Sequence, residues 1–145
     1  MSLGKRIATC LIGGMMLAMP AAHAEVVPVV SAKCSIVMLS QAQLVDIFLG
    51  RESRFPNGEP AMPIDHGEGS EARDEFYARY AQQSPAQLKA YWAKLIFTGK
   101  SQPPREIISM QKLRRILTNN PHAISYMRRN EVDATLKVIE MQEKQ

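Results

Sequence analysis

Cysteine is almost absent. The 145 residues hold two, Cys10 and Cys34. If the first segment is removed on export, only Cys34 is left, and no disulfide framework can hold the fold. A lone cysteine of this kind is read first as a small buried apolar residue and second as a reactive thiol. Histidine is equally scarce, with His23, His66 and His122. His66 and His122 sit in no spaced ligand set, so neither a metal nor a cofactor is expected. Asp65, His66 and Glu68 lie close in sequence, but three neighbours on a loop do not make a metal site. No Gly-x-Ser-x-Gly elbow or comparable nucleophile turn occurs, so the chain is not expected to be an enzyme. After residue 24 no apolar run is long enough to cross a membrane, and no membrane insertion is expected.

What the chain does have begins at its N-terminus. Lys5 and Arg6 precede the apolar run Ile7–Pro20, and Ala22-His23-Ala24 is a small-x-small cleavage site. Residues 1–24 therefore read as a signal peptide cleaved after Ala24, which predicts a periplasmic protein. Residues 25–145 form one domain of 121 residues, enough for a single core. Removing Lys5 and Arg6 leaves 16 basic against 14 acidic side chains, a net charge of +2. That balance gives no basis for nucleic-acid binding.

The local signals alternate between strand and helix. "EVVPVVS" (25–31) predicts a strand, with Pro28 marking an edge or a bend. Ser40 and Gln43 form a capping box for a helix that presents Leu44, Ile47 and Phe48 on one face and stops at Gly50. Residues 51–60 are a polar loop, and 61–64 a short strand. Ser70 opens a helix with Ala72, Phe76 and Tyr80 at i, i+4 and i+8. Ser84, Pro85 and Gln87 cap the next helix, in which Leu88, Tyr91, Trp92, Leu95 and Ile96 follow the apolar stripe of a helix face. Residues 100–106 are a loop. Ser109 caps a helix to about Thr118, with Leu113, Ile116 and Leu117 inward. Residues 123–127 and 134–141 are two closing strands. The fold class expected is α/β: a single small domain with a mixed sheet flanked by helices.

The stretch "IDHGEGSEARDEFY" (64–77) carries the candidate site. A strand enters a glycine turn and a helix leaves it, so free N–H groups of the first helical turn face outward at Gly69, Ser70, Glu71 and Ala72. Arg73 lies one turn in and adds charge, while His66, Lys100 and Arg105 are further cationic candidates. Two readings stand. The turn is an anion cradle, or it is an ordinary serine N-cap in which Glu68 and Glu71 complement the helix dipole.

Three ordered landmarks resemble the phosphate-type substrate-binding proteins of ABC importers. They are "LSQAQLVDIFLG" (39–50), "GSEAR" (69–73) and "NPHAISYM" (120–127). The resemblance spans about Val26 to Ile139. It implies one lobe of a type II periplasmic binding protein, with phosphate or a similar oxyanion held at Gly69, Ser70, Glu71, Ala72 and Arg73. Gly69 and Ser70 match the family's Gly-Ser turn. Glu71 stands where the family has Gly, Ala72 where it has Thr, and Asp65 to Glu68 lack the Arg that the family places before the turn. The family is two-lobed, so the resemblance also implies a partner: importer permease subunits, or a second copy completing the cleft. The alternative is a partner-binding or regulatory module that kept the fold and lost its ligand, with a basic rim at Lys100, Arg105, Arg114, Arg115, Arg128 and Arg129.

Overall fold

The computed structural model describes residues 23–143. The expected signal peptide lies almost wholly outside the described residues. Seven strands and four α-helices run in the order β1 (Val26–Ser31), β2 (Met38–Ser40), α1 (Gln41–Phe48), β3 (Met62–Asp65), α2 (Glu71–Phe76), α3 (Pro85–Phe97), β4 (Arg105–Glu106), α4 (Met110–Asn119), β5 (Ala123–Arg128), β6 (Leu136–Val138) and β7 (Glu140–Gln142). The main sheet has the order β4-β3-β5-β1-β6. β3 is parallel to β4 and β5, while β1 is antiparallel to β5 and β6, so the sheet is mixed.

Alternation along β1 explains the layering, because successive side chains of a strand point to opposite faces. Val26 and Val30 pack with Phe48, Phe76, Tyr126 and Trp92 beneath α1, α2 and α3. Val27 and Val29 pack with Leu113 and Leu117 of α4 on the other face. The domain thus has helices on both faces of its sheet. β1 is buried along its whole length, as a strand covered on both faces must be.

Three expectations are corrected. Pro28 marks neither an edge nor a bend: β1 lies between β5 and β6. The Pro28 carbonyl accepts from the Ile139 N–H at 2.9 Å. The N and O of one strand residue face the same side, so the missing N–H of Pro28 faces the point where β6, paired only as far as Val29, has ended. Next, residues 134–141 form no single strand. Ile139 is buried at the break, β6 stays in the main sheet, and β7 joins β2 in a parallel two-stranded sheet. Finally, Ile96 was expected to face inward but is 55% exposed, because α3 is buried chiefly along Leu88 and Trp92.

The capping boxes at Ser40–Gln43 and Ser84–Gln87 form as the sequence predicts, and Pro85 opens α3. Gly50 follows α1 at φ +70°, a conformation that favours glycine. Cys34 is buried. No helix among the described residues is long and apolar enough to cross a membrane.

Candidate functional site

The site is built where β3 ends. Asp65 is its last residue, and the chain leaves the sheet through His66 and Gly67 to the N-terminus of α2. Gly69 takes φ +86°, which turns the chain, and the Ser70 N–H closes the turn on the Gly67 carbonyl at 3.1 Å. The Ser70 hydroxyl accepts from the Arg73 N–H at 3.4 Å, so Ser70 is the N-cap of α2. The N–H groups of Glu71 and Ala72 have no acceptor among the described residues. α2 is short and passes at Tyr77–Ala81 into a π-helical turn that ends at Gln82 with φ 54°. The wider turn buries Tyr77 as well as Phe76 and Tyr80, where the i, i+4, i+8 spacing had singled out Ala72, Phe76 and Tyr80 and not Tyr77.

The turn forms the floor of an open groove of about 600 Å³. Gly69, Ser70, Glu71 and Ala72 all line it, together with His66 and Arg128. Arg73 does not. Its side chain, 11% exposed, turns behind the turn to face Asp65 at 3.6 Å and Glu106 at 3.3 Å. Lys100 and Arg105 are not on the groove wall. The cation that the sequence did not single out for this position is Arg128, at the end of β5. It donates to Glu75 at 3.1 Å and to the Ala24 carbonyl at 2.9 Å, and lies 3.8 Å from Glu71. Glu68 pairs with Lys89 at 3.5 Å across the surface. Glu68, Glu71, Glu106 and Glu131 all reach the groove, so its side chains are predominantly acidic.

Beneath the floor lies a buried polar cluster that local sequence patterns did not reveal. Asp65, 1% exposed, accepts from the Tyr77 hydroxyl at 2.7 Å, from the Tyr126 hydroxyl, and from the His66 N–H at 3.0 Å. With Arg73 beside it, the buried carboxylate is surrounded by donors. His66 stacks on Tyr126 with ring centroids 4.4 Å apart, and its Nε2 lies 2.7 Å from the Tyr126 carbonyl. A carbonyl only accepts, so Nε2 carries the proton. Tyr77 is twelve residues from Asp65, and Tyr126 sixty-one. A charged residue ending an apolar strand was the only local hint of the cluster. Among the described residues no group of three or more His, Cys, Asp or Glu is arranged to hold a metal.

This cluster sets a pH window. Burial pushes the His66 imidazole below its ordinary pKa, against a smaller opposing effect from its bond to Tyr126. The unfolded chain then binds the proton more readily. Stability should be present above about pH 6.5 and fall as the pH drops through the lowered value. Burial, followed by the Asp65 charge, pushes the Tyr77 and Tyr126 hydroxyls upward. Their contribution should be intact below about pH 10 and lost as the pH rises above it. Urea midpoints measured at acid, neutral and alkaline pH test both limbs. His66→Gln should flatten the acid limb alone; an unchanged acid limb in that variant would assign the loss to other groups.

No family model matches the sequence, and no curated protein matches it. Solved structures do match its fold. An ABC-type phosphate transport receptor from Vibrio cholerae superposes with a TM-score of 0.65 at 14% identity, over 84% of this chain and 48% of that one. A putative phosphate ABC transporter substrate-binding protein with bound phosphate from Clostridium perfringens gives 0.63 at 16% identity, over 82% and 45%. A possible phosphate binding protein from Planctomyces limnophilus gives 0.56 at 13%, over 83% and 42%. The fold is that of one lobe of the phosphate-type substrate-binding proteins. The chain spans about half the length of the structures it matches.

Proposed function

We propose that this protein is an exported binding module that takes phosphate or a similar oxyanion at Gly69–Ala72, as half of a cleft. The observation that carries the reading is the pair of N–H groups at Glu71 and Ala72, which lack protein acceptors and lie on the floor of an open groove. Donors so placed at a helix start suit an anion. Arg128 faces the groove, and Arg73 adds positive charge from behind the turn. A single lobe offers no enclosing wall, so affinity depends on a second surface. Importer permease subunits or a second copy of the chain would supply it. The signal sequence at 1–24 supports a periplasmic location, and the fold neighbours, being transport receptors, support binding rather than catalysis.

A second reading is favoured by the four glutamates at the groove. In it the lobe has kept its fold and become a partner-binding or regulatory module, and the acidic wall faces a basic surface of that partner. Amide NMR titration with phosphate, with sulfate and chloride as controls, separates the two. The first reading expects saturable shifts at Gly69, Ser70, Glu71 and Ala72, weakened in Ser70→Ala, which itself should lose about 1 kcal/mol through its cap. Absence of shifts at millimolar phosphate in a folded sample would sink oxyanion binding by the lobe alone and leave the second reading.

A further inference from the structure

Glu25, the first residue left by cleavage after Ala24, is tied down beside the groove. Its carboxylate meets Arg79 and Arg129, each at 2.7 Å. Its carbonyl accepts from the Arg129 N–H at 2.9 Å, and the next N–H, of Val26, donates to Glu75 at 3.0 Å. Most chain starts lack such ties and fray. Ala24 has a partner as well. Its carbonyl accepts from Arg128 Nη1 at 2.9 Å, and the same nitrogen donates to Glu75 at 3.1 Å. Arg128 is also the guanidinium that lines the groove.

Cleavage after Ala24 takes that carbonyl away and leaves an α-ammonium on Glu25. The oxygen and nitrogen of one peptide group are about 2.3 Å apart, so the new charge stands within about 5 Å of Arg128 Nη1. Two cations then compete for the Glu75 carboxylate. The ammonium is fixed by the ties on Glu25. Arg128 is not: its other terminal nitrogen already lies 3.8 Å from Glu71, on the groove side.

We propose that removal of the leader hands Arg128 over to the groove. The Glu25 ammonium takes Glu75, and the guanidinium turns toward Gly69–Ala72. While Ala24 is in place Arg128 stays tied back, so the oxyanion site is completed only by processing. This inference rests on the signal-peptide and groove readings given above.

The charge that drives the handover titrates where its neighbours do not. An α-amine has an ordinary pKa of about 7.7–8.0. Around it stand Glu75 of α2, Arg79 and Tyr80 of the π-helical turn, Arg128 of β5, Arg129 and Glu140, with Glu71 and His66 at the groove. Carboxylates ionise well below pH 7, and guanidinium groups stay charged far above pH 9. Burial holds Tyr80 above its ordinary value and His66 below its own. As the pH rises through about 8 the amine loses its charge, and Arg128 returns to Glu75.

The test compares residues 25–145, beginning at Glu25, with the same chain carrying residues 21–24 behind a fusion partner, so that Ala24 keeps its carbonyl. Carbon-detected NMR follows the Arg128 guanidinium, assigned through its own side-chain carbons. Its shift should differ between the two forms at about pH 6.5. In the processed form alone it should move with a midpoint near pH 8, toward the value of the extended form. Inorganic phosphate should bind the processed form at least about threefold more tightly, the size expected from one further charge near the site. An Arg128 signal that coincides in the two forms, or that does not titrate between about pH 7 and 9, would overturn the proposal whatever the groove binds. If the signal moves as expected and neither form takes phosphate, the handover stands and the oxyanion reading alone falls.

Discussion

Asp65→Ala is expected to cost about 3–5 kcal/mol of folding stability, the range for removing one partner from a buried charged cluster. The wild-type carboxylate serves both tyrosine hydroxyls and the His66 N–H, and faces the Arg73 guanidinium. Alanine strands all of them. Arg73 would keep Glu106 as a counter-ion, but on a half-exposed side chain. Asp65→Asn keeps the shape and one carbonyl acceptor and should cost less, about 1–3 kcal/mol. Urea unfolding of both variants gives the values directly. Tyr77→Phe should cost about 1 kcal/mol in the wild type and close to nothing in the Asp65→Ala background, because its hydrogen bond has already gone. Additive losses would mean that Asp65 and Tyr77 do not act as one cluster.

Phe76→Ala should fall in the same range, about 3–5 kcal/mol, for a different reason. The Phe76 ring stacks on Tyr126 with centroids 4.0 Å apart and planes 7° from parallel, and meets Phe48 edge-on at 4.8 Å. It joins α2 to both α1 and the central strand β5, and its removal opens a cavity between buried rings. Phe76→Leu keeps most of the volume and loses the aromatic contacts, worth about 0.5–1.5 kcal/mol. Thermal unfolding should therefore rank alanine well below leucine, and leucine below wild type. Near-equal losses would mean that stacking, not volume, dominates at this position. Both predictions bear on the site: Asp65 fixes the start of the turn, and Phe76 anchors the helix that leaves it.

Much of the architecture was legible because its causes are local. Ser40, Ser84 and Ser109 each start a helix as their spacing predicts, since a serine hydroxyl three residues from an N–H needs no distant partner. The stripes at Leu44–Phe48 and Leu113–Leu117 are buried for a similar reason. β2 and β4 were missed, and each owes its pairing to a segment remote in sequence: β2 to β7 at the C-terminus, β4 to β3. The turn at Gly67–Ser70 and the helix start at Ser70 were legible, because glycine and a capping serine announce them. The orientation of Arg73 was not. One turn into a helix, an arginine can reach either side, and only the buried Asp65 and exposed Glu106 draw it behind the turn.

By itself, the sequence determined the export signal as an expectation, the helix starts, the glycine–serine turn before α2 and the α/β class, all of which depend on residues within a few positions of one another. The tertiary structure alone decided that β1 is an interior strand despite Pro28, that residues 134–141 divide between two sheets, and that Asp65 gathers Tyr77, Tyr126 and Arg73. Each of these depends on which strands become neighbours, and that is set by burying both faces of one sheet at once, a condition no local window of residues contains.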